Sequence, residues 1–328
     1  MRYYAAAVQT SLPALVERGD LPARIDALIA MAEGAVAGYE PFHDVRLLVF
    51  PEFSHTAPML GTVAQLRART AVGVEAIAPA YERFCRARGV FVQTGSFVES
   101  DPRHPGALFN TTLLVGPGGV LARYRKVNPW IPWELHTSPH DIEGYAEPLF
   151  PVVETEIGRL GCAICYDWIF PEVLRELAMQ GAELLLRVSA YMDPWGATPP
   201  TDWWTLFNRA RAAENTAYVV AANQAAHVPD YPPFSWPGSS MVVDFDGRIL
   251  AQAEPGPFQK IVVAPIDLGA LRAERARRRG HDMRAHLRSE AYAYLRTPHL
   301  ARGGAQPLDA AGIEARIAAA RGAMPDPR

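Results

Sequence analysis

At 328 residues, 49% of them hydrophobic, the chain is long enough to bury a sizeable core in one or two domains. Its formal net charge of −3 argues against a nucleic-acid or anionic-membrane partner, and three cysteines cannot staple a chain of this length, so a reducing, cytoplasmic setting is expected. No apolar run approaches a membrane span, and the opening MRYYAAAVQT lacks the basic-then-apolar pattern of a signal peptide.

Strand-like and helix-like stretches alternate along the chain. RYYAAAVQT (2–10) reads as a strand, 22–37 as a helix and VRLLVF (45–50) as a buried strand stopped by Pro51. Residues 74–88 fit a helix closed by Gly89, with Pro79 inside it, and VFVQTGSFVE (90–99) a strand. TTLLVGPGGVLARYRK (111–126) predicts a hairpin around Gly116–Gly119, and VVETEIGRLGCAICYD (152–167) a second that turns at Gly158-Arg159. Then come helix 171–181 with Pro171 at its start, strand 182–190, helix 202–215 and strand 217–225. The chain continues with a hairpin over 240–253 on an Asp-Gly turn and strand 260–268. Strands separated by helices, with hairpins interspersed, imply a layered α/β fold with a mixed sheet. From about 270 the chain turns Arg-rich, and Arg275, Arg277, Arg278 and Arg279 read as a solvated or subunit-facing surface. The loop 128–151 is long and rich in Pro and aromatics, and all tryptophans fall between Trp130 and Trp236.

Three positions carry chemistry. GCAICYD (161–167) contains a Cys-x-x-Cys, but alternation along a strand sends Cys162 and Cys165 to opposite faces, which excludes a shared ion or an unstrained disulfide. Cys165 stands where strand gives way to turn and helix, an elbow that suits a nucleophile exposed to backbone N–H groups and to a helix N-terminus whose potential lowers a nearby thiol's pKa; an inert buried cysteine fits this stretch at least as well on its own. Glu52 follows the apolar strand that Pro51 stops. Lys126 shares a face with Val120, Ala122 and Tyr124, and it is one of only two lysines, with Lys260, in a chain that otherwise uses arginine. A buried ammonium needs a partner, and Glu52 is the candidate. Carboxylate, ammonium and thiol together suit acyl transfer.

On these residues the chain resembles the nitrilase, or carbon–nitrogen hydrolase, superfamily: LLVFPEF (47–53), RYRKVNPW (123–130) and GCAICYDWIFPE (161–172) look like that family's Glu, Lys and Cys segments. The resemblance covers roughly residues 2–270. It implies a four-layer α-β-β-α sandwich with two mixed sheets, a hydrolase domain over 1–270, and a C-terminal extension over 271–328 that packs on the domain or at a subunit interface. It implies a triad of Glu52, Lys126 and Cys165, no cofactor and no metal, and a homo-oligomer of at least two copies. Glu134, in the segment KVNPWIPWE, matches the second glutamate of members similar to aliphatic amidases and formamidases, as do LLLRVSAYMDP (184–194) and RARAAENTAYVVAANQ (209–224). Tyr166-Asp167-Trp168-Ile169 is closer to ω-amidase-like members, and Phe53 stands where a Tyr often follows the Glu.

The resemblance implies hydrolysis of a small-molecule amide through a Cys165 thioester. Glu52 is the general base, Lys126 and the Tyr166 backbone N–H hold the oxyanion, and Glu134 orients Lys126 or the substrate. Trp130, Trp168, Arg187 and Tyr191 are the expected pocket residues. Arg187 pairs with a site glutamate or a substrate carboxylate, a structural ion pair being preferred because an interior Arg needs a partner in any case. The alternatives are a nitrilase or an N-carbamoyl-amine hydrolase of the same superfamily, and, from other classes, a non-catalytic scaffold or an acyltransferase on the same fold.

Overall fold

The computed structural model describes residues 1–14, 17–56, 62–130, 134, 136–278, 280–296, 300 and 302–323; Trp133 and Arg279 lie outside them. In chain order the first half holds β1 (Arg2–Gln9), α1 (Leu21–Ala37), β2 (Val45–Val49), α2 (Val63–Arg69), α3 (Ala78–Arg88), β3 (Phe91–Glu99), β4 (Phe109–Gly116) and β5 (Gly119–Arg125). The second half holds β6 (Val152–Thr155), β7 (Gly158–Ile164), α4 (Pro171–Met179), β8 (Leu184–Ser189), α5 (Trp203–Asn215) and β9 (Tyr218–Asn223). It continues with β10 (Met241–Val243), β11 (Ile249–Gln252), β12 (Lys260–Asp267), α6 (Leu268–Arg277) and α7 (Ala310–Ala323).

The strands form two six-stranded sheets, ordered β12-β1-β2-β3-β4-β5 and β11-β10-β9-β8-β7-β6. Each has a parallel trio, β1-β2-β3 or β7-β8-β9, flanked by antiparallel strands. Alternation along β1 explains the layering. Tyr3, Ala5 and Ala7 join the apolar cluster that also holds β7, β8 and β9, whereas Ala6 and Val8 join the cluster under α1 and α3. Both faces of the sheet are therefore buried, and its strands read as nearly continuous apolar runs. On the far side, Val173, Leu174 and Leu177 of α4 and Trp204 and Ala212 of α5 cover the second sheet. The order is helix, sheet, sheet, helix, as the resemblance implied. Leu177 is fully buried, and Leu177→Ala would cost ~2–5 kcal/mol.

Local details differ from the sequence reading where turn geometry decides. Pro79 sits in the first turn of α3, where its missing N–H costs nothing, instead of inside the helix. The second hairpin turns at Glu156-Ile157, because Thr155 pairs with Gly158; Gly158 takes a left-handed φ of 113° and opens β7. The arginine surface is not simply solvated: Arg275 donates to the carbonyls of Thr216 and Ala182, and Arg278 to Glu274, Thr216 and Asp246. Exposed Arg277 fits the expectation and pairs with Glu274.

Candidate active site

The ends of β2, β5, β7 and β8 converge on one cavity, at the carboxyl side of the parallel strands where α/β folds place their sites. β2 delivers Glu52, whose N–H reaches the Ser189 carbonyl at 3.3 Å across the sheet interface. The chain turns sharply there, with Phe53 at a left-handed φ of 55° and its N–H on Ser96 Oγ at 2.9 Å. The turn packs against Gly95 so closely that a Cβ there would lie 2.6 Å from the Pro51 carbonyl oxygen, so only glycine serves. β5 ends one residue before Lys126, whose N–H prolongs the ladder to the Asn110 carbonyl at 2.9 Å.

Lys126 Nζ donates to Glu52 Oε1 at 2.8 Å and to Glu134 Oε2 at 2.6 Å, and all three side chains are almost wholly buried. Asn110 Nδ2 bridges the same carboxylates, at 2.8 Å to Glu52 Oε1 and 2.7 Å to Glu134 Oε1. The Ala190 N–H donates to Glu52 Oε2 at 3.0 Å, and the Trp130 N–H to Glu134 Oε2 at 2.7 Å. His136 brings Nδ1 to 3.2 Å from Glu134 Oε1. Burial by itself would weaken the Lys126 ammonium, but Glu134 and then Glu52 hold it well above the usual lysine range. Burial likewise opposes ionised Glu134, and Lys126 overcomes it and holds the carboxyl below its usual range.

The Cys165 thiol lines the same cavity. β7 stops at Ile164, and Cys165 opens a 3-10 turn, Cys165–Ile169, with a left-handed φ of 43°. Such a backbone is costly outside glycine and re-aims the side chain at the elbow. Asp167 ties that turn to the lysine loop: its carboxylate accepts from the Ile164 N–H (3.0 Å), Tyr124 OH (2.6 Å), and the Asn128 N–H and Nδ2 (each 2.9 Å). Cys165 lines the cavity and Cys162 does not; both are free thiols. The helix N-terminus does not win at Cys165. Burial, then Glu52, pushes the thiol up to about 12, while Lys126 and Arg187 pull the other way. The Cys165 thiol therefore rests protonated, with the Glu52 carboxylate acting on it.

The cavity measures about 650 Å³, and Glu52, Lys126, Glu134, Cys165, Tyr166, Trp130 and Tyr191 of the expected set line it. Trp168 and Arg187 do not. Trp168 is buried behind the elbow with Nε1 on the Ala163 carbonyl at 3.1 Å. Arg187 pairs in register with Ala163 on β7, faces α5 and donates to Asn208 Oδ1 at 2.9 Å. Its guanidinium lies 4.2 Å from the Trp204 ring centre, 5.1 Å from Trp168 and 5.5 Å from Tyr191. The expected ion pair is absent: among the described residues Arg187 meets no carboxylate within salt-bridge range, and its Nε and Nη2 are buried without hydrogen-bond partners. Burial lowers it to about 10, with Cys165 the largest opposing influence.

Asn110, Asp167, His136, Trp195, Trp203 and Trp236 were not among the expected site residues. The clustering of the tryptophans between Trp130 and Trp236 was a signal for three of them, and an amide at the start of the buried strand FNTTLLV was one for Asn110. A second cavity of about 490 Å³ shares Glu134, His136 and Tyr166 with the first and runs beneath the tail from Leu300 to Arg321.

Fold and site define an α-β-β-α sandwich that brings a thiol, an ammonium and two carboxylates to one cavity. The profile of the carbon–nitrogen hydrolase family matches residues 4–276, and the chain belongs to that family. It is a hydrolase of carbon–nitrogen bonds. A formamidase of Bacillus cereus (strain Q1) is 31% identical over 272 residues, covering 80% of this chain and 74% of its own. The Saccharomyces cerevisiae Nit3 structure, from branch 10 of the nitrilase superfamily, superposes with a TM-score of 0.66 at 24% identity over 84% of this chain and 93% of its own. An amidase from Nesterenkonia sp. AN1, whose active-site cysteine carries Michael-added acrylamide, gives a TM-score of 0.59 at 25% identity over 84% of this chain and 97% of its own.

Proposed function

We propose that the protein hydrolyses a small-molecule amide to a carboxylic acid and ammonia through an acyl-thioester on Cys165. The observation that carries this reading is the pair of buried carboxylates, Glu52 and Glu134, gripping one ammonium at 2.8 and 2.6 Å in the cavity that Cys165 lines. Glu52 takes the thiol proton as sulfur bonds to the amide carbon, which lowers the effective barrier of a thiol whose own pKa is far above neutrality. The carbonyl oxygen becomes an oxyanion held by Lys126 and the Tyr166 N–H. The C–N bond then breaks, Glu52 returns its proton to the departing nitrogen, and ammonia leaves. Water, deprotonated by Glu52, adds to the thioester, and the C–S bond breaks to give acid and thiol. Glu134 positions Lys126 and needs no proton of its own. The names of the formamidase and amidase relatives support the amide as substrate.

The experiment is intact-mass analysis after rapid mixing with an amide, with ammonia release followed in parallel. An acyl adduct on the wild type that is missing from Cys165→Ala supports the reading; ammonia release by Cys165→Ala at the wild-type rate would sink it.

The reading extends to a cytoplasmic homo-oligomer whose segment 271–328 packs on the hydrolase domain or at a subunit interface. Supporting this are three free cysteines, suited to a reducing compartment, and exposed Tyr292, Tyr294, Leu295 and Leu300 on the tail. The same tail meets the lysine loop, through Thr137 Oγ1 on the Ala305 carbonyl (2.9 Å) and Arg316 on Asp141 (3.2 Å). Light scattering should give at least twice the chain mass.

A further inference from the structure

The cavity is much larger and more aromatic than cleavage of an amide bond requires. Its walls beyond the reacting groups include Trp130, Trp195, Trp203, Trp236, Tyr166 and Tyr191. A one-carbon acyl group would occupy little of about 650 Å³, a volume in the range that encloses ligands of drug-like size.

The wall is built in advance. Trp236 Nε1 donates to the Ala190 carbonyl at 3.0 Å, on the residue whose N–H holds Glu52. Tyr191 OH donates to the Trp195 carbonyl at 3.1 Å, and Tyr191 N–H to Asn223 Oδ1 at 2.7 Å. The Trp130 and Trp195 rings meet with centroids 3.9 Å apart at 42°. The polar handles of Trp236 and Tyr191 are thus committed to backbone, leaving their apolar bodies for contact. Exposed Trp203 carries the wall outward to the surface.

Charge narrows the ligand further. Among the described lining residues the basic side chains are Lys126 and His136, and the acidic ones are Glu52 and Glu134. Lys126 already faces both carboxylates and His136 Nδ1 lies 3.2 Å from Glu134, so a substrate carboxylate would meet basic groups already set against two like charges. Arg187, which the sequence offered as a carboxylate grip, lies outside the cavity on Asn208.

Resting on the amide-hydrolase reading, we infer that the acyl group accepted by this site is uncharged and aromatic, so that the substrate class is an aryl or arylalkyl primary amide. The ring packs against the aromatic wall while the carboxamide reaches Cys165, and burial of the ring supplies binding that a short aliphatic amide lacks.

The test compares kcat/KM, by ammonia release from the full-length enzyme, for 3-phenylpropionamide, acetamide, succinamate and 4-aminobutanamide. The phenyl substrate should exceed acetamide on the order of 100-fold, with neither charged amide approaching it. Trp195→Ala should cut the phenyl-to-acetamide ratio by ~10-fold, mainly through KM. Preference for acetamide, succinamate or 4-aminobutanamide overturns the aromatic class while leaving the hydrolase reading intact. Absence of ammonia from every amide, with no acyl adduct on Cys165, brings down the hydrolase reading itself.

Discussion

Arg125 and Lys126 are neighbours at the end of β5, point to opposite faces, and each neutralises two buried carboxylates. Arg125 donates to both Glu99 oxygens at 2.8 Å and to Asp101 at 2.5 Å, and its guanidinium lies 4.0 Å from the Phe109 ring centre. Arg103 and Arg123 add their forks to the same acids. Asp101, His104 and Glu147 lie close enough to hold a metal ion, but arginines already engage both carboxylates. Lys126 instead makes single contacts with Glu52 and Glu134 and faces a cavity that the Cys165 thiol also lines. The difference is what an arginine fork and a compact ammonium are each good for. The fork locks two carboxylates into a fixed geometry, whereas the ammonium keeps a donor to offer a developing oxyanion.

The largest break in that comparison should come from Lys126→Ala, which lowers kcat per folded molecule by ~100–1000-fold, read by steady-state kinetics with folding checked by circular dichroism. Arg125→Met should do the reverse. It leaves Glu99 and Asp101 buried and short of a cation, so urea unfolding should show a loss of ~3–5 kcal/mol while kcat of the folded fraction holds. Asp167→Asn should fall between the two kinds. An amide cannot accept at both oxygens from Ile164, Tyr124 and Asn128, so stability drops by ~1–3 kcal/mol and the lysine loop and thiol elbow lose their tie. The smallest effect belongs to Arg187→Met, read by iodoacetamide labelling of Cys165 against pH. The wild-type thiol is pushed up to about 12, so thiolate is scarce at neutral pH and labelling should climb without a plateau in the ordinary thiol range near ~8.5. Removing a buried cation disfavours the thiolate further, and labelling at neutral pH should slow by ~10-fold. Labelling that speeds up instead would show that Arg187 does not act on the thiol.

Much of the fold was legible because it rests on local periodicity. β1 and β3 announce themselves as short buried runs, the first hairpin through its Gly-rich turn, and α4 through Pro171. The turn of the second hairpin misled because Gly158 begins a strand instead of making the turn, and Arg187 because the partner for its charge is a cage of rings and an amide. Trp168 was placed on the pocket wall because its neighbour Cys165 is there, but the 3-10 turn rotates the indole into the core.

By itself the sequence determined the layers and the residues that meet at the strand ends, since apolar patterning commits each strand to two buried faces and leaves Glu52, Lys126 and Cys165 at their termini. Only the tertiary structure decided how those residues are held and what they face. Glu52 and Lys126 are 74 positions apart, Asn110 joins two carboxylates from different loops, and the aromatic wall is assembled from segments as distant as Trp130 and Trp236. No local pattern encodes such contacts, because they depend on how two sheets dock and on the left-handed backbone at Phe53 and Cys165 that the docked core holds in place.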